Sequence, residues 1–379
     1  MTPSERYLEL CLRLRRHDEG LVDAYFGPKE TAERIEAEQL REPRELAADA
    51  RSLAEEADSP YLRAQAVGLE VVARKLARED IPYAEEVERC YAMRPQRVPE
   101  ERFEEAHRAL DEVLPPDGTL AERYQRWREG DVVPPEKVMG ILEALTARLR
   151  ERTNELLGLP EGEASELELV TGEHWSAYNY YLGGLRSRVA VNTDIPLNAS
   201  VLGVLIAHEL YPGHHTEHAW KEQLLYREQG RLEEAVLMYG TPQAVIAEGI
   251  AELAIEMVVD DHDAFVAEVL SEWGIAYDAD VGGRIRQAKK PLEWVPANAA
   301  MLLHEDGMST DEANAYIQRW ALVSETRAQH SVNFVSHPIG RTYVTTYTDG
   351  YTLCRAWVGG DIGRFKRLLT EQLTPADLV

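Results

Sequence analysis

Apolar residues recur at helical spacing through most of this chain. From Pro3 to Tyr25, and again from Arg44 to Arg78, Leu, Ala and Val return every three or four positions with Glu and Arg between them. Both stretches predict amphipathic helices packed on one another. Asp80-Ile81-Pro82 breaks the second run, Pro99-Glu100-Glu101 opens a further helix with proline in its first turn, and Pro115-Pro116-Asp117-Gly118 marks a turn. Another helix is predicted from Pro135 to Leu157, closed near Gly158 and Pro160. No fixed-period repeat is visible, which disfavours a helical solenoid.

Between Ser165 and Asp194 the pattern changes to period two. Glu166 to Val170 and Ser187 to Asn192 alternate, Ser176 to Leu182 is rich in Tyr, and Gly183-Gly184 supplies a turn. A small antiparallel sheet is expected here. Arg186, Arg188 and Asn192 serve equally well as local pairs or as substrate contacts, and His174 reads as structural. Beyond the sheet, Arg231 to Met238, Pro242 to Asp261 and Gly282 to Trp320 read as helices. The predicted fold class is therefore mainly α: a large helical protein with a small antiparallel β-sheet beside a helical core. Residues 1–160 form an N-terminal helical region and 161–379 a second region, closely packed as one globular unit.

Composition narrows the function classes. The 379 residues are 44% hydrophobic, enough for a large core or two packed lobes, and carry a net charge of −26. That charge argues against nucleic acid or an anionic membrane as partner, and it suits a solvated acidic surface or a substrate bearing amines. Cys11, Cys90 and Cys354 are scattered and form no metal motif or disulfide framework. With no apolar leader near the start and no run of about 18 apolar residues, a cytoplasmic, soluble protein is expected.

The chemistry is concentrated between Val201 and Trp220, VLGVLIAHELYPGHHTEHAW. An apolar lead runs into His208-Glu209, and His214, His215 and His218 follow. The zinc-protease pattern H-E-x-x-H sets two His four apart on one helix face. Here His208 and His214 are six apart, which on a regular helix turns them roughly 120° from each other. Pro212 has no N–H to give the carbonyl of His208 and its ring crowds that carbonyl, so a kink or bulge is expected. Two residues looped out would bring His214 into the second ligand position. Within the same stretch His214-His215-Thr216-Glu217-His218 spells the inverted motif H-x-x-E-H, which needs no bulge. Geometry alone therefore favours the inverted motif.

HELYPGHH, with VAVNTDIP before it, AEGIAEL after it and HPIGRTYVTTYTDGYTLCRAW near the end, resembles a bacterial family of metallopeptidases, domain-of-unknown-function family 885, whose signature is H-E-x-x-P-G-H. The matching segments lie between Tyr178 and Trp357, about half the chain. The resemblance implies that His208 and His214 bind metal and that Glu209 is the general base, with His215 and His218 accessory. It also resembles the wider gluzincin group, which implies a third ligand from a later helix. Glu248 in Ala247-Glu248-Gly249 fits, although Ile250 stands where the family has Trp. In gluzincin-like enzymes a strand before the metal helix pairs with extended substrate, which the Tyr-rich strand would do by edge addition.

Glu248, Glu252 and Glu256 recur every four residues on one helix face, and Glu252 is the reserve ligand or a partner for a ligating His. His304-Glu305 reads as a helix end, since no second His follows at four. Near the C-terminus, Tyr343 and Tyr347 share a helix face with Arg341 close by. The resemblance makes Arg341 and Tyr347 candidates for steadying an oxyanion, with His337 and Tyr343 beside them. Arg355 could bind a substrate carboxylate. The expected activity is zinc-dependent hydrolysis of a peptide or small amide using one Zn²⁺, Mn²⁺ or Co²⁺ also being admissible. A non-peptide amide or ester hydrolase, or a scaffold with a closed structural metal site, are the alternatives.

Overall fold

The structure, a computed structural model, describes residues 1–173 and 175–379; His174, expected to be structural, lies outside them. Eight helices precede the sheet: α1 (Pro3–Arg15), α2 (Lys29–Ala37), α3 (Pro43–Glu56), α4 (Pro60–Leu76), α5 (Tyr83–Tyr91), α6 (Glu100–Val113), α7 (Leu120–Gly130) and α8 (Pro135–Leu156). Their starts follow local chemistry. Thr2 accepts from the amide of Glu5 while the Glu5 carboxylate accepts from the amide of Thr2, and Thr119 and Glu122 do the same for α7. Ser59 caps α4 ahead of Pro60.

The strands correct two helical expectations. The helix from Pro3 ends at Arg15, and Val22–Tyr25 is a strand, β1. Likewise Arg231 to Met238 holds only a short 3-10 turn, Leu232–Ala235, before β5 (Val236–Met238). β1 and β5 pair antiparallel across more than half the chain, and all three β5 residues are buried. A strand pair closed by a partner so distant leaves little periodic trace in either segment.

The main sheet contains β2 (Ala164–Val170), β3 (Ala177–Gly183) and β4 (Arg186–Asn192), in the order β2-β4-β3. β3 and β4 form the expected antiparallel hairpin, with Gly183 and Gly184 both at positive φ. β2 runs parallel to β4 rather than antiparallel, because the chain crosses to the far edge to make β3 before returning as the central strand. Arg186 and Arg188 pair with Glu166 and Glu168, and Asn192 donates to the carbonyls of Glu173 and Trp175. These three are local ties.

The second half continues with α9 (Ala199–Glu209), α10 (His214–Lys221), a π-helical turn (Glu222–Glu228), α11 (Pro242–Val258), α12 (His262–Glu272), α13 (Ala279–Lys289), α14 (Val295–His304), α15 (Thr310–Ala321), α16 (Glu325–Ser336), α17 (Gly340–Val358) and α18 (Ile362–Thr370). The protein is mainly α with small sheets. No described helix is long and apolar enough to cross a membrane.

The core that positions the site is centred on α9 and α11. Leu202, Ile206, Ala207, Ile246, Ile250 and Ala254 are buried there against Ile141, Leu145 and Leu149 of α8, Cys354 of α17 and Phe365 of α18. α11 and α17 approach through glycine. A Cβ on Gly249 would lie 2.5 Å from the carbonyl oxygen of Gly350 and 2.4 Å from Cys354 Sγ, and one on Gly350 would lie 2.6 Å from the carbonyl oxygen of Val245. Gly249 thus serves close packing of two helices.

Candidate metal centre

The break at Pro212-Gly213 shapes the centre. The buried apolar turn of α9 ends in His208-Glu209, and at Leu210 the backbone leaves the helix with ψ −82°. The next four residues cross to α10 without a continuous helical ladder. The Gly213 amide donates to Ala207 O at 2.9 Å, the Thr216 amide and hydroxyl both reach Leu210 O, and the Glu217 amide resumes helical bonding to Gly213 O. A Cβ on Gly213 would stand 1.9 Å from the carbonyl oxygen of His208, so this crossing requires glycine. His214 then opens α10 beside His208, with ring centroids 4.7 Å apart and ring planes perpendicular.

Glu248 on α11 completes a triangle. One donor atom each from His208, His214 and Glu248 lie within 4.8 Å of one another. His208 Nε2 is 3.6 Å from Glu248 Oε2, and His214 Nε2 is 3.8 Å from Glu248 Oε1. Tetrahedral zinc with ligand bonds of about 2.0–2.2 Å needs donors roughly 3.3–3.5 Å apart, so the set fits with small side-chain shifts. The fit is chemical as well as geometric. Glu248 Oε2 is buried with no hydrogen-bond partner, an expensive arrangement for a carboxylate unless a cation meets it.

The electrostatics of these groups point the same way. Burial, then the neighbouring His214, pushes His208 well below its ordinary pKa, and burial and His218 push His214 down to about 3. Both imidazoles are therefore neutral, the ligating form. Burial raises Glu248 well above the usual carboxylate range, against the hydroxyl of Tyr343, which donates to its Oε1. Burial and the charges of Asp23 and Glu252 lift Glu209 to about 8. Glu252, lifted to about 7 mainly by burial, lies 3.7 Å from His208 Nδ1, the ring nitrogen opposite the one nearest Glu248. It stands behind His208, beyond hydrogen-bond distance, and is not one of the three residues of the triangle.

A cavity of about 130 Å³ adjoins this triangle. His208, Glu209, His214, His218, Glu248, Tyr343 and Tyr347 line it, together with the edge strand β3 through Ala177, Tyr178 and Asn179. The other motif residues stand apart. His215 is fully buried with both ring nitrogens engaged, Nδ1 with Ser187 Oγ and Nε2 with Glu163, each at 2.8 Å. Glu217 is buried against Lys221 at 2.7 Å and does not line the cavity, so H-x-x-E-H has no base at the site. His218 stacks on His214 with centroids 5.9 Å apart.

Several expected residues are elsewhere. Arg341 pairs with the buried Glu86 of α5, its Nε at 2.8 Å, and does not line the cavity. Two residues from Tyr343 on one helix, it turns roughly 200° away and faces the other side of α17. His337 caps the end of α16, exposed, with its Nδ1 accepting from the Ile339 amide. Tyr343 donates to Glu248, a candidate ligand, and among the described residues the hydroxyl of Tyr347 makes no hydrogen bond. His304 ends α14 and bonds Val335 O at 2.7 Å, and Arg355 pairs with Glu256 at 3.2 Å. Sequence reasoning missed Asp23 and Tyr239, which come from β1 and from just after β5. No local pattern marks them, because the pairing of those strands brings them in.

No family model and no curated protein matches the chain, so the family resemblance rests on the motif residues alone. Among solved structures, the fold is similar to a "putative lipoprotein" from Colwellia psychrerythraea, at 14% identity and a TM-score of 0.57, with 92% of this chain and 68% of the other covered. A "putative lipoprotein of unknown function" from Shewanella oneidensis is similar at 13% identity and a TM-score of 0.52, covering 96% and 68%. A metallocarboxypeptidase of Trypanosoma cruzi aligns over 100% of this chain and 95% of its own, at 15% identity and a TM-score of 0.41, a score that supports no functional argument. The first two likenesses are likenesses of fold.

Proposed function

We propose that this chain is a zinc-dependent hydrolase of peptide or small amide bonds. The observation that carries the proposal is the convergence of His208, His214 and the orphaned carboxylate of Glu248 on one cavity that Glu209 also lines. A bound divalent ion would supply Lewis acidity, polarising a carbonyl oxygen and making water acidic enough to act near neutral pH.

The chain's own groups then divide the remaining work. Glu209, beside the His208 ligand, is lifted to about 8 by burial and neighbouring carboxylates, would ionise beside a bound cation, and then takes a proton from the attacking water and hands it to the leaving nitrogen. The hydroxyl of Tyr347 donates to the oxygen that gains charge as the carbonyl carbon becomes tetrahedral. Tyr343 holds Glu248, and Glu252 lies 3.7 Å behind the ring of His208, within a small side-chain shift of it. β3, the edge strand of the order β2-β4-β3, offers main-chain groups along one wall for an extended substrate to pair with.

Elemental mass spectrometry of purified protein supplied with zinc, beside a peptide-hydrolysis screen, tests the reading. Near-stoichiometric zinc is expected in the wild type and in Glu209→Gln, with zinc lost in His208→Ala. Turnover in Glu209→Gln is expected to fall by about 10²- to 10⁴-fold. Unimpaired hydrolysis by Glu209→Gln, or zinc retained in His208→Ala and lost in His218→Ala, would overturn it.

A further inference from the structure

The cavity has a charge left over once the metal centre is accounted for. Three carboxylates line it, Asp23, Glu209 and Glu248, and no Lys or Arg is among its described lining residues. Glu248 belongs to the proposed metal triangle and Glu209 is the proposed base, which leaves Asp23 without a role there. It reaches the cavity from β1, at the opposite end of the chain from the tyrosines of α17. The hydroxyls of Tyr178 and Tyr239 both donate to its Oδ1, and among the described residues no hydrogen bond is made to Oδ2. Two tyrosines thus fix the carboxylate, and one of its oxygens is left for a ligand.

We propose that Asp23 binds a primary ammonium group of the substrate, so that the enzyme selects peptides or amides bearing a free amine next to the bond it cuts. This rests on the hydrolase reading above. A carboxylate among other carboxylates in a confined space is stabilised by a cation and by little else, and an ammonium has the three donors to reach a fixed oxygen. Lining without Lys or Arg offers no ionic partner for a terminal carboxylate, which points to the amino end of the substrate. The size agrees: the cavity volume is about 130 Å³. Pockets of about 150 Å³ take a benzene-sized group, so the whole space suits a small substrate. The net charge of −26 adds a long-range field that draws in cations.

Calorimetry tests the assignment on zinc-supplied Glu209→Gln protein, with Asp23 intact and as Asp23→Asn. The probes are alanyl-alanine amide, its N-acetyl twin and N-acetyl-lysyl-alanine amide, and turnover of the same three is followed with Glu209 intact. With Asp23 intact, acetylation of the alanyl probe is expected to weaken binding by about 10- to 100-fold, the loss of a charged hydrogen-bonded contact. In Asp23→Asn the two should bind within about threefold of each other, the residual spread of neutral contacts. Recovery of binding by the lysyl probe assigns the ammonium to a side chain, and its failure assigns it to the α-amine. Equal binding of free and acetylated alanyl probes with Asp23 intact overturns the proposal, as does a preference that survives Asp23→Asn. An Asp23-dependent preference with no turnover of any probe leaves the ammonium site standing and overturns the hydrolase reading.

Discussion

At the residue scale, the centre is built from side chains whose second contacts are already chosen. His208 has Glu248 near Nε2 and Glu252 near Nδ1, so under the proposed function one carboxylate would share the metal and the other would stand behind the ring. Glu252→Gln is therefore expected to keep the fold and weaken zinc binding by about 10- to 100-fold, the usual effect of losing a partner behind a ligating histidine. Competition with a zinc-binding dye measures it, and an unchanged affinity would remove Glu252 from the centre. The apolar lead into His208-Glu209 was legible by itself, but His214 and Glu248 were singled out by the resemblance, because ideal helix geometry favours H-x-x-E-H and glutamates spaced by four read alone as a solvated stripe. Arg341 and His337 misled because closeness in sequence to Tyr343 is not closeness in space. Arg341 turns to Glu86, and His337 lies outside α17.

At the element scale, α11 is held to α17 by a backbone-close crossing, and this crossing carries Glu248 and Tyr343 to each other. Gly249 follows Glu248 directly, so a side chain there would push α11 away at the point where the ligand is aimed. Gly249→Ala is expected to cost about 1–3 kcal/mol by overpacking. It is also expected to lower zinc occupancy, because Glu248 and Tyr343 would move apart. Thermal unfolding with metal analysis distinguishes this from simple destabilisation, since a stability loss with full zinc occupancy would show that the ligand does not depend on the crossing. The helices themselves were readable from prolines, caps and apolar spacing. β1 and β5 were not, since strands of four and three residues carry too few positions to show a period, and their pairing is decided by folding.

At the scale of the whole molecule, the site is assembled from both ends of the chain. Asp23 arrives on β1, which is held in place by β5 from the second half, and the floor under α9 is the apolar face of α8. Removing residues 1–160 would strip Ile141, Leu142, Leu145 and Leu149 from that core, all fully buried. Losing the burial of four such side chains forfeits about 1.5–3 kcal/mol each, comparable in sum to the whole stability of a typical domain. A fragment spanning 161–379 is therefore expected to show no cooperative thermal transition and to bind zinc without stoichiometry, whereas the full chain unfolds cooperatively. Adding residues 1–160 in trans should restore neither if the two parts must fold together. A fragment that unfolds cooperatively with one zinc bound would instead make the N-terminal region an addition to a self-sufficient metal domain. Asp23 would then be the measure of what the addition brings, because the fragment would keep His208, His214 and Glu248 and lose the preference for an ammonium group.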